Sequence, residues 1–163
     1  MSPVADDITA LAAAVPPGRA LLGIDLGTRT LGLALSDSLW SVATPQKTLK
    51  RKKFSADAAA LLAFAGERQV GGLVLGLPRN MDGSEGPRAQ STRAFARNLA
   101  ALTALPIGFW DERLSTVAAE RALLEADASR KRRAEVIDHV AAAYILQGAL
   151  DRLAHLRAEA RHG

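Results

Sequence analysis

Asp25 interrupts an otherwise apolar run, ALLGIDLG. An ionised carboxylate is seldom buried unpaired, because desolvation costs several kcal/mol or shifts its pKa instead. An acid there calls for a cation, a donor network or a metal, and Gly23, Gly27 and Gly32 leave room for a backbone or a phosphate to approach. The ordinary alternative is a turn Asp bonded to its own loop amides. Asp111 and Glu112 close a second short apolar run, PIGFW. Strand alternation sends neighbours to opposite faces, so only one of the two should point into a shared site. As plain loop acids they would simply pair with Arg113. Asp138 heads a helical stripe that continues through Ala141, Ala142, Ile145 and Ala149. An acid at the head of an apolar stripe is not a solvated surface charge, although the helix dipole also favours an acid in a first turn. His139 falls about 100° further round the helix and reads as a surface or supporting residue, not a ligand.

Three acids from two strand ends and one helix suggest a divalent-metal site. Mg²⁺ prefers hard oxygen ligands, keeps several waters and is often recruited jointly by carboxylates and substrate phosphate. Two such ions about 4 Å apart can activate a water and stabilise the leaving oxygen of a phosphodiester. Mg²⁺ or Mn²⁺ is therefore the expected cofactor. Arg29, Arg79, Arg113 and Lys131, the last within the basic stretch ASRKRR, are the expected grips on the flanking phosphates. No His/Cys metal spacing, G-x-S-x-G elbow or Walker lysine competes.

These residues need a scaffold. From Ala20 two apolar runs around a Gly-containing connection read as a β-hairpin, and a third run around SVATP as the next strand, ended by Pro45. Phe54, Ala58, Leu61, Leu62 and Ala65 share one helical face. GGLVLGLP is a buried-type strand and RNMDGSEG a loop; Pro87 opens a helix whose buried stripe is Phe95, Leu99 and Leu102. PIGFW is a last strand, Ser115 or Thr116 caps a further helix, and a long helix runs from about Ala134 to Leu156. Three strands, then helix, strand, helix, strand and two helices imply an α/β fold with a mixed central sheet and helices on both faces. Ligands of such sheets bind beyond the carboxyl ends of the strands, where Asp25 and the loops after Leu77 and Trp110 meet. Residues 1–19 read as a loose leader in which Ile8, Leu11, Ala12 and Val15 have helical spacing. Residues 20–157 form the domain and 158–163 a tail.

The chain has 163 residues, one domain by size. At 48% hydrophobic and 23% charged it is neither disordered nor a coiled coil. No apolar run is long enough to span a membrane, and Asp6 and Asp7 stand where a secretory signal needs positive charge, so a cytoplasmic protein is expected. The absence of cysteine agrees and removes disulfides and thiolate chemistry. Lys and Arg number 21 against 17 acids, with a pI near 10.0, which suits a polyanionic partner. With aromatics at 4%, a base-stacking platform for single strands is not expected.

Four ordered blocks, GIDLGTRTLGLALSD, VLGLPRNMDGSEGPRAQSTRAFA, DERLSTVAAERALLEAD and RAEVIDHVAAAYILQGALD, resemble the YqgF family. These are bacterial proteins described as pre-16S rRNA nucleases and Holliday-junction resolvases. The resemblance spans residues 21–153 and implies an RNase H-like fold with a metal-dependent nuclease site. It places the family's first acid on Asp25, the acid of its D-E-R block on Glu112 and its final-helix acid on Asp138, with Asp111 as a supporting residue. It implies a nucleic-acid partner, a structured RNA precursor or branched DNA, and a role in rRNA processing and ribosome biogenesis. A monomer or weak homodimer is expected. Two rivals differ in class. D-x-G-T before a Gly-bearing hairpin also resembles the phosphate hairpin of the actin, sugar-kinase and Hsp70 superfamily, but those proteins need two such domains. A non-catalytic RNA-binding assembly factor could keep the fold, but it would have no need of all three acids.

Overall fold

A computed structural model of the chain describes residues 4–115 and 130–162, the stretch 130–138 by its backbone alone. Its centre is a six-stranded sheet. The strands are β1 (Val4–Ala5), β2 (Ala20–Leu26), β3 (Thr30–Ser36), β4 (Ala43–Lys50), β5 (Val70–Leu77) and β6 (Ile107–Asp111), in the spatial order β1-β6-β5-β2-β3-β4. The β2–β3–β4 meander is antiparallel, whereas β5 runs parallel to β2, and β6 parallel to β5 and β1. The carboxyl ends of β2, β4, β5 and β6 therefore share one edge. The expected mixed α/β architecture is the observed one.

Alternation in β2 and β5 feeds two cores. Leu22, Ile24, Leu73 and Leu75 face helices α2 (Phe54–Glu67) and α3 (Pro87–Ala100), where Leu61, Phe64, Phe95 and Leu99 meet them. Leu21, Val74 and Trp110 face α1 (Ile8–Ala14) and α4 (Arg130–His162), against Leu11, Ala142, Ile145, Leu146 and Leu150. Burying each large aliphatic side chain contributes about 1.5–3 kcal/mol. Helices cover both faces.

Four elements differ from the sequence reading. Residues 4–15 are not loose: β1 pairs with β6, and Ile8, Leu11 and Val15 are buried, because the helical stripe finds an open sheet face. β4 runs on past Pro45 to Lys50. It is an edge strand with a bulge between the Leu33–Lys47 and Ala34–Pro45 pairs, and a missing N–H is tolerated in both settings. Leu102 is 57% exposed, since α3 stops at Ala100 before the stripe reaches it. Ser115 closes a 3₁₀ turn (Glu112–Leu114) and accepts a hydrogen bond from the Trp110 indole at 3.2 Å; the helix expected after it lies outside the described residues.

Candidate nuclease site

Asp25 lies in β2 opposite Gly32 of β3 and is 4% exposed. The strand places it one step beyond the Ile24–Leu75 pair, beside Gly76 of β5, and Gly76 in turn pairs with Trp110 of β6. A side chain at Gly76 would meet the Glu112 carboxylate: its Cβ would stand 3.1 Å from Oε2. Asp25 and Glu112 thus flank a glycine on the face covered by α4. The room expected beside Gly23 is taken, however, by α4 itself, since a Cβ there would lie 2.7 Å from Leu146 Cβ and 3.0 Å from the Ala142 carbonyl. Position 138 falls within α4, about one turn before Ala142; the Asp138 and Lys131 side chains lie outside the described residues. His139 is half-buried and its Nδ1 lies 2.9 Å from Thr48 Oγ1, a supporting contact.

Asp111 and Glu112 do diverge. Asp111 caps the 3₁₀ turn by accepting from the Arg113 N–H at 3.0 Å, and its Oδ2 takes the Arg113 Nη2 at 2.7 Å. Those Arg113 bonds hold its carboxyl below the usual range, with Arg79 Nη1, 3.7 Å away, adding to the effect. Asp111 therefore fixes the turn that carries Glu112. Arg79 and Arg113, two of the expected phosphate grips, are already engaged with acids, Arg79 also with Glu85 at 3.3 Å. Arg29 is exposed in the β2–β3 turn.

The network continues to residues that the sequence did not single out. Arg93 donates to both Glu85 oxygens at 2.6 and 2.7 Å and to Asp6 at 2.6 Å, and its guanidinium lies 5.1 Å from the Phe109 ring centre. It ties the loop after β5 to α3 and to the first residues. The Arg93 hydrogen bonds lower the Glu85 pKa. A carboxylate depressed on folding stabilises the fold above its unfolded pKa and loses that contribution as pH falls through the folded value. Acidification below about pH 5 should therefore lower the melting temperature. In Arg93→Met that dependence should be shallower, and an equally steep profile would remove the pair from the account.

Arg51 is the other unforeseen residue. Its N–H donates to the Arg29 carbonyl at 2.8 Å and its Nη1 to the Gly27 carbonyl at 2.8 Å, pinning the turn that follows Asp25. Buried Asp57 holds Arg51 Nε at 3.8 Å and accepts from the Lys52 N–H at 2.8 Å. Within the run KRKK no pattern marks which basic side chain turns inward.

Hard oxygen donors beside a glycine cradle suit a hydrated divalent cation. Among the described residues no three His, Cys, Asp or Glu side chains group tightly enough to hold one, so the two carboxylates need a third donor. A buried acid near the end of β2, a mixed sheet and helices on both faces fit an RNase H-like fold. In keeping with this, the chain superimposes on Thermus thermophilus RuvC in complex with a Holliday junction substrate, with a TM-score of 0.51 at 13% identity, covering 83% of this chain and 96% of that one. Residues 19–152 match the sequence model of RuvX, described as Holliday junction resolvase. The chain belongs to the RuvX family, the YqgF group of the sequence resemblance, and with it to the hydrolases of nucleic-acid ester bonds. A protein of Ruegeria pomeroyi is 67% identical over 94% of this chain and 99% of its own length, and one of Rhodobacter capsulatus 72% identical over 89% and 91%. Both carry the name "Putative pre-16S rRNA nuclease".

Proposed function

We propose that this nuclease trims the 5′ end of pre-16S rRNA in the cytoplasm, using Asp25, Glu112 and Asp138 to hold Mg²⁺ or Mn²⁺. The observation that carries the site is the pair Asp25 and Glu112 on either side of Gly76, on the strand edge where such sheets bind ligands. The substrate is carried by the relatives' shared name. A divalent cation there would supply Lewis-acid activation of the attacking water and charge stabilisation at the leaving oxygen. The chain's own residues do the rest. The apolar strands around Asp25 exclude bulk water and strengthen its field, and Asp111 fixes the turn bearing Glu112. Arg29 is exposed to meet phosphate, and Lys131 would join it from α4, while Arg79 and Arg113 would meet phosphate only by sharing their acids. The protein works as a monomer or weak homodimer on RNA.

The family's description favours a second reading, cleavage of four-way DNA junctions. The test sets a structured rRNA precursor beside a four-way junction, in Mg²⁺ or Mn²⁺ and with a chelator. Cleavage of the precursor, abolished by chelation, is expected. Preference for the junction would install the second reading, and binding without cleavage of either would make the protein a non-catalytic assembly factor.

A further inference from the structure

We propose that the substrate backbone beside the scissile bond runs over a second strip, formed by Arg29, Lys50, Lys52 and Lys53 at the β4–α2 junction. This rests on the reading that Asp25 marks where the bond is cut. β4 ends on the same sheet edge as β2, two strands away, which is about 10 Å. The register carries the line across directly, with Leu26 paired to Leu31, Leu31 to Leu49, and Lys50 next in the chain. A strand lying over Asp25 and crossing β3 therefore meets these four cations within a few nucleotides.

Three observations together support the strip. All four side chains are exposed, and among the described residues none has an acidic partner within 4 Å, unlike Arg79, Arg93 and Arg113. Second, Lys52 and Lys53 immediately precede the first turn of α2, at the positive end of a 14-residue helix, where cations are disfavoured. Such a placement opposes folding and is suited to an incoming anion. Third, Arg51 does not face solvent with its neighbours. It joins the strip to the turn after Asp25 through the Gly27 and Arg29 carbonyls, with Asp57 behind it, which fixes the backbone of the strip against that turn. The chemistry recognised is the phosphodiester backbone, without base readout.

The test measures binding of the structured rRNA precursor against salt, in chelator, so that cleavage plays no part. Each phosphate that is no longer neutralised lowers the slope of log K against log salt by about 0.7–0.9. Lys50→Gln, Lys52→Gln and Lys53→Gln combined should lower it by about 2 and weaken binding on the order of tenfold at moderate salt. The corresponding triple Lys→Arg variant should bind like wild type, which separates charge from fold. A control of equal charge, Arg97→Gln near the end of α3 with Arg152→Gln and Arg161→Gln in the C-terminal third of α4, away from this edge, should leave the slope nearly unchanged. A wild-type slope in the glutamine variant, or an equal loss in the control, overturns the strip. If Asp25→Asn abolishes cleavage while the glutamine variant binds normally, the strip is wrong and the nuclease reading stands. If Asp25→Asn still cleaves, the placement of the cut at Asp25 falls, and the slopes alone decide whether this face binds RNA.

Discussion

Asp25→Asn should reduce phosphodiester cleavage by about two to three orders of magnitude, on the order expected when charge stabilisation of a developing anion is lost. The substitution keeps shape and removes the charge that would hold a hard cation on the strand edge. Binding of the precursor should persist, slightly tighter because one repulsive charge is gone. The melting temperature in metal-free buffer should show a folded variant, since Asn keeps the shape of the buried side chain. Cleavage rate, binding constant and melting temperature from one preparation check all three. Surviving cleavage would move catalysis off Asp25. An unfolded variant would make Asp25 a structural residue, and Glu112→Gln, whose carboxylate sits on a turn outside the sheet, then carries the same catalytic test.

Gly23→Ala should cost about 3 kcal/mol, near the upper end for overpacking. The new methyl would stand 2.7 Å from Leu146 Cβ and 3.0 Å from the Ala142 carbonyl, and neither belongs to the far end of a flexible side chain. Relief requires α4 to lift off β2. The melting temperature should fall by about 6–12 °C for a domain of this size. Activity should fall further than stability accounts for, because α4 also carries position 138. Gly66→Ala, with nothing within 4 Å of the new Cβ and a helical position, should instead stabilise by about 0.5–1 kcal/mol. Equal melting temperatures for Gly23→Ala and wild type would mean that the helix does not press on the strand as described.

Much of this was legible beforehand because it rests on local rules. An acid inside an apolar strand announces itself, and Asp25 is buried as its setting demands. The helical face of Phe54 to Ala65 and the Pro87 start follow from spacing and ring chemistry. The divergence of Asp111 from Glu112 was also readable, although a 3₁₀ turn produces it instead of plain strand alternation. What was not legible depends on partners far apart in sequence. Nothing in Asp6 or Arg93 foretells a 2.6 Å contact across 87 positions. Arg79 and Arg113 look like free cations until the fold sets carboxylates beside them. The role of residues 4–15 stayed hidden because Pro16-Pro17-Gly18 reads as a boundary, while the sheet face that Leu11 covers is built from β5 and β6.

The position of α4 has a consequence for the order of events during translation. The ribosome releases the β2–β3–β4 meander early, and Asp25 with it. The helix that covers Leu21, Ala34, Val74 and Trp110 comes later in the chain than every strand of the sheet. Until then, among the described residues, α1 alone lies against that face of the sheet. A nascent chain therefore carries Asp25 before Glu112 and α4 have been made. The proposed three-acid site would therefore assemble only after α4 has been made and has docked on the sheet.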